Sequence, residues 1–198
     1  TDIADYLLIY SSHLADQLGY DIHSETEDIL GSLLWDAHRT GSSKVFPKRE
    51  LNHHFYLLDI RGTIRSMLRL FDETPEKFEQ LEYIGRASRI YFNLKDLVSD
   101  IKAGIINISQ EDCHRHNISP ADLEVIASNG NLPLSYGIGK WVREQANEGL
   151  DLLAYHRSEI LPKRSLGLWG RLTLRLVYEQ PAKQYFMKAL NTQNNVSY

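Results

Sequence analysis

The sequence predicts an all-α fold. Apolar residues return at helical spacing along most of the chain, helix-start signals recur between those runs, and no stretch alternates apolar and polar for the length of a strand. With 198 residues, 42% of them hydrophobic, the chain can bury one sizeable core, and a single domain over 1–198 is expected.

The elements follow in order. Ile3, Leu7, Tyr10, Leu14 and Leu18 mark a first amphipathic helix, with Gly19 as its stop. Ser24 and Glu27 are spaced as a capping box for a second helix through Ile29, Leu33 and Trp35, ending near Gly41. Residues 44–46 form a connection, and Pro47 suits the first turn of a third helix running to about Asp72. Thr74 and Pro75 repeat that start signal, and the helical pattern then continues to Gly104, which would make this the longest element. Ser109 with Asp112, and Ser119 with Asp122, open two short helices. After a turn at 129–133 a helix runs to about Glu159, and a final one follows Pro162, with a kink expected at Pro181 and a polar tail after Asn191.

A formal net charge of -4 shows no basic excess, so nucleic acid is not an expected partner and any anion must be met by local groups. The one cysteine, Cys113, excludes an internal disulfide framework and is compatible with a cytoplasmic location. No apolar run is long enough to span a bilayer. The chain starts at Thr1 rather than at methionine, which leaves room for further helices upstream.

Asn93, Asp96 and Asp100 fall at i, i+3 and i+7 and so share one stripe of a helix. A solvated face is the ordinary explanation for such charges. Against it, Asp96 and Asp100 are like charges one turn apart, no residue three or four positions away is basic, and Asp100 sits where the helix dipole disfavours a carboxylate. A divalent cation would reverse both penalties, and carboxylate and amide oxygens suit Mg2+.

Arg61, Arg65 and Arg69 form a basic stripe, and only Arg69 has an acidic partner on its own helix, Glu73. The guanidinium fork suits phosphate oxygens, whereas the alternative is bridging to a neighbouring helix. Gly62 in mid-helix marks close packing or room for a ligand. Arg86 and Arg89 lie on the Asn93 stripe, where they reach either a phosphate or a neighbouring helix. Cys113, His114 and His116 diverge on a helix and do not make a zinc site. His53 and His54 show no partner for base chemistry, and Tyr83, Tyr91, Phe92, Trp141, Tyr155, Trp169 and Phe186 are assigned to the core.

Together these residues resemble the squalene and phytoene synthase family of class I isoprenoid synthases, from about Trp35 to Leu190. The run from Phe92 to Asp100, preceded by Gly85-Arg86-Ala87, is similar to that family's second acidic helix. It also resembles the FQxxDDxxD pattern of chain-elongating prenyl transferases, with Asn93 for the glutamine and Leu97 for the second aspartate. The segment from Gly104 to Ser119 is similar to the family's stretch after the motif, Ile60 to Phe71 to its helix with a glycine core, and Trp35-Asp36 to its methionine-aspartate pair.

The resemblance implies a class I isoprenoid synthase-like helical bundle around an apolar cavity, in which two acidic helices clamp a diphosphate through Mg2+. It implies a transferase that ionises an allylic prenyl diphosphate of the farnesyl or geranylgeranyl class and condenses it with a second isoprenoid. Metal ligands would be Asp96, Asp100 and Asn93, and the diphosphate would meet Arg65, Lys44, Arg61 and Arg89, with Asp36 and Tyr56 as further candidates. An apolar product implies peripheral contact with a membrane. The chain departs from the family where the first acidic motif should stand, since Asp2 and Asp5 are three apart. That motif lies upstream of Thr1, survives as Asp2, or is lost. A terpene cyclase and a non-catalytic scaffold of the same fold are the rival readings.

Overall fold

The computed structural model describes residues 13, 16, 17, 19, 21–71, 73, 81–129, 135–160 and 166–194, and among these every regular element is helical. Most of the first expected helix and the Thr74-Pro75 start lie outside the described residues. Gly19, which is described, has φ +74, as its role as a stop requires.

The helix α1 is His23–Arg39. It starts without the expected capping box: Ser24 Oγ donates to the neighbouring Glu25 carboxylate instead, and Glu27 pairs with His23. The long helix α2 is built from Lys48–Phe55, a π-helical stretch Tyr56–Ile64 and Arg65–Leu70, with Pro47 as the residue before its first turn. Glu82–Lys95 is α3 and Leu97–Lys102 is α4. These two were expected as one element. The backbone bends at Asp96 (φ -98, ψ 7), although Asp96 N–H and Asp100 N–H still donate to Phe92 and Asp96 carbonyls. Gln110–His116 is α5 and Pro120–Asn129 is α6. Ser109 accepts from Asp112 N–H, and Ser119 and Asp122 cap each other reciprocally, as their spacing predicts. The 20-residue segment Tyr136–Tyr155 continues π-helically over His156–Ile160 as α7. Finally α8 runs through Leu168–Thr173, a π-helical Leu174–Glu179 and Gln180–Asn194. The kink expected at Pro181 takes this π form. Proline cannot donate to the preceding turn, and the wider π turn just before it absorbs the mismatch.

The centre of the bundle is α3, which packs against α7, α8 and the π stretch of α2, while α1 covers the other side of that stretch. Buried Ile84, Ala87, Ile90 and Leu94 from α3 meet Trp141, Ala146, Leu174 and Phe186 in one continuous core. Gly62 is the close-packing point its position predicts, since a Cβ there would lie 2.5 Å from Ile29 Cγ1 on α1 and 2.9 Å from Leu57 O. A second close approach joins the α1 and α4 ends. Gly104 has φ +72 and would place a Cβ 2.7 Å from Gly41 Cα, while Gly41 N–H donates to Ala103 O and Ser43 N–H to Gly104 O. This contact holds the turn after α1 against the C-terminal end of α4.

Of the aromatics assigned to the core, Trp141 and Phe186 are buried, but Phe92, Tyr155 and Trp169 are exposed. Trp169 falls on the outer side of α8. No helix among the described residues is long and apolar enough to cross a membrane.

Candidate functional site

The acidic stripe forms where α3 ends. Asn93 occupies the last turn of α3, is 8% exposed, and its Oδ1 has no hydrogen-bond partner. Asp96 stands at the bend, and Asp100 follows one turn later on α4. Compensation for this stripe comes from other helices. Asn107, in the loop after α4, donates from Nδ2 to Asp100 Oδ2 at 2.9 Å and accepts at Oδ1 from Arg39 Nη2 at 2.6 Å. Arg39 Nε donates to Asp36 Oδ1 at 2.8 Å, and His54 Nε2 lies 3.1 Å from the same oxygen. A polar chain thus runs from α2 through α1 to α4 by way of His54, Asp36, Arg39, Asn107 and Asp100.

The two ends of this chain are biased in opposite directions. Burial and then the charge of Asp96 push the Asp100 carboxyl above the usual carboxylate range, and Asn107, Arg39 and Arg89 only partly offset them. At Asp36 burial also opposes ionisation, but His54 and Arg39 outweigh it and hold that carboxyl below its usual value. Repulsion between Asp96 and Asp100 therefore persists in the fold.

Beside this chain, Arg89 donates through Nε and Nη2 to both oxygens of Asp59, each at 2.6 Å, and its guanidinium lies 4.8 Å from the Phe55 ring centre. Burial works against its charge, yet Asp59 first, then Asp36 and Asp100, hold Arg89 more firmly protonated than a free arginine.

A cavity of about 320 Å³ opens between α2, α3, α5 and α7. Its wall includes Tyr56, Asp59, Arg89, Asn93, Asn107 and Trp141. Trp141 Nε1, like Asn93 Oδ1, is buried there without a partner. Asp100 reaches the wall only through Asn107, and neither Asp96 nor Asp100 belongs to the lining. Charged side chains share this wall with apolar ones: Lys48, Glu82, Arg86, Asp112 and Glu148 line it beside Leu51, Phe55, Ile60 and Ile90. The fold tolerates these charges because they pair across helices, Arg86 with Glu148 at 3.1 Å and Lys48 with Asp112 at 3.6 Å.

Of the expected diphosphate ligands, only Arg89 reaches this cavity. Arg61 lies 3.0 Å from Asp28, and Arg65 and Arg69 lie 3.2 and 2.9 Å from Glu25, so the basic stripe bridges α2 to α1. Glu25 is 1% exposed and meets both arginines. Lys44 is exposed beside the Phe46 ring, on the turn that packs against the end of α4. The site also recruits Arg39, His54, Asp59 and Asn107, which periodicity could not find. Arg39 and Asn107 are 68 positions apart, and Arg89 and Asp59 are 30 apart, so their pairing has no local signal.

Among the described residues no three His, Cys, Asp or Glu side chains converge on a common point. A cation at Asp96 and Asp100 would rest on two carboxylates, the Asn93 amide and oxygens of the ligand, which is the usual habit of Mg2+ with phosphate substrates. Compared with models of protein families, with curated proteins and with solved structures, the chain matches none of them.

Proposed function

We propose that the chain is a prenyl transferase that binds an allylic prenyl diphosphate together with Mg2+ at the α3–α4 junction and condenses the prenyl group with a second isoprenoid. The observation that carries this reading is one juxtaposition: a buried, unpartnered Asn93 oxygen one turn before a carboxylate pair whose repulsion survives beside two arginines. Those three side chains would hold the ion. When bound, Mg2+ supplies Lewis-acid withdrawal of negative charge from the leaving diphosphate.

The chain's own groups do the rest. Asn107, fixed between Arg39 and Asp100, holds the Asp100 carboxylate in one orientation. Asp59 does the same for Arg89, whose cationic head lies at the cavity wall and would meet phosphate oxygens. Leu51, Phe55, Ile60, Ile90 and Trp141 are the apolar part of that wall, against which a prenyl chain would pack and from which it would exclude water.

The test is magnesium-dependent binding of a nonhydrolysable prenyl thiodiphosphate, followed by turnover with labelled substrates. Asp96→Ala in an otherwise folded protein is expected to weaken metal-dependent binding on the order of 100-fold, the upper scale on which even outer-shell changes act at metal sites. Unchanged turnover in Asp96→Ala sinks the proposal. Consumption of one diphosphate without a second isoprenoid would assign a cyclase instead.

A scaffold of related architecture is the second reading, and one observation favours it: Arg61, Arg65, Arg69, Arg86 and Arg89 all face carboxylates of the chain itself. No magnesium-dependent binding of the analogue is its signature.

A further inference from the structure

The helix α8 buries one stripe and leaves another open. Gly170, Leu174, Ala182 and Phe186 are buried at multiples of four residues. On the outer side Leu168 is 67% exposed, Trp169 64%, Leu172 40%, Leu176 51% and Val177 57%. Single exposed apolar residues need no explanation, but a tryptophan with four aliphatic neighbours along three turns is a patch.

The exposed charges of α8 itself have one sign, and the carboxylate against its first turn, Glu73, is buried and accepts from Gly167 N–H. Arg171, Arg175 and Lys183 are exposed among the apolar residues, and none of them has an ion-pair partner among the described residues. Glu179 is the sole carboxylate between positions 167 and 191, and it turns inward, 12% exposed and 3.9 Å from Arg157. A chain of net charge -4 thus carries a locally cationic, apolar helix face.

We infer that this face of α8 docks on an anionic lipid surface, with Leu168, Trp169, Leu172 and Leu176 entering the boundary between headgroups and acyl chains. Arg171, Arg175 and Lys183 meet lipid phosphates there. Leucine and tryptophan on one side with arginine and lysine alongside is the composition of a helix lying in the membrane plane. The long cationic side chains extend toward the headgroups while their stems cover apolar surface. A second copy of the same face is disfavoured, because a twofold contact would bring the same unpaired cations together. The inference does not rest on the diphosphate reading.

Vesicle binding by the full chain decides it. The protein is mixed with phosphatidylcholine vesicles with and without phosphatidylglycerol, some carrying brominated acyl chains, and tryptophan emission is recorded alongside co-sedimentation. Of the three tryptophans Trp169 is the most exposed, and Trp141 is buried. The expected result is a blue shift and bromine quenching with the anionic vesicles only, both lost in Trp169→Phe. Arg171→Gln and Arg175→Gln are each expected to weaken binding about fivefold, the scale of one cationic residue at an anionic surface. Circular dichroism confirms that these surface variants stay folded. No co-sedimentation with anionic vesicles overturns the inference, as does equal binding to phosphatidylcholine alone. Shielding of Trp169 from acrylamide in the lipid-free chain also overturns it, since the face would then be covered by the chain itself, a second copy or an acidic protein.

Discussion

Asp100 shows how a residue can be costly to the fold and useful to a ligand. Its carboxyl titrates higher in the folded chain than in the unfolded one, because burial and Asp96 oppose its charge. The folded state therefore takes up that proton first as pH falls, so the cost is present at neutral pH and relieved as pH drops through the folded pKa. Asp100→Asn keeps an acceptor for Asn107 and removes the charge. It is expected to raise the urea midpoint at neutral pH, with the difference closing below about pH 4, the ordinary carboxylate range. A lower midpoint at neutral pH would show that Asp100 is already well compensated, and would weaken the metal reading with it. The residue types at this site were legible in the sequence, since Asn93, Asp96 and Asp100 declare themselves by spacing. Of their neutralising partners only Arg89, on the Asn93 stripe itself, was legible; Arg39 comes from α1 and Asn107 from a loop.

At the scale of elements, the α1 and α4 ends are joined through Gly41 and Gly104, and a side chain at Gly104 would run into the Gly41 backbone. Gly104→Ala is expected to cost at least ~2 kcal/mol, from left-handed backbone strain plus overpacking against Gly41. Gly31→Ala is the matched control: nothing lies within 4 Å of its Cβ position in the interior of α1. There the substitution is expected to stabilise by about 0.5 to 1 kcal/mol through helix propensity. Urea midpoints of the two variants should move in opposite directions, and equal shifts would mean that the glycine contact contributes nothing. Local signals placed the two short capped helices correctly, since Ser109 and Ser119 act on their own first turns. They failed at Asp96, where an uninterrupted helical pattern hid a bend, and at the π stretches of α2 and α7, which no periodicity of the sequence announces; the one in α8 lies just before Pro181, where a kink was expected.

The whole molecule buries His156, 1% exposed, and burial holds its imidazole down to about 4. The unfolded chain accepts that proton near 6.5, so the folded state is at a disadvantage as pH falls below this value. Global stability is expected to drop by on the order of 3 kcal/mol between about pH 6.5 and 4 on this account. His156→Leu should flatten the slope in that window, measured by urea denaturation at a series of pH values. A slope unchanged by the substitution would assign the acid sensitivity to other groups.

By itself the sequence determined that the chain is helical, where the helices opened by Pro47, Ser109 and Ser119 begin, that Trp141 and Phe186 lie inside, and that three oxygen-bearing residues share a stripe. Each follows from interactions within a few turns of one helix, or from hydrophobicity averaged along it. Only the tertiary structure decided that the basic stripe of α2 answers Glu25 and Asp28, that Arg89 is held by Asp59, that the cavity wall is charged as well as apolar, and that Trp169 faces outward. Those outcomes depend on which helix faces are brought within a few ångströms of each other. That is a property of packing, and no spacing along one chain segment encodes it.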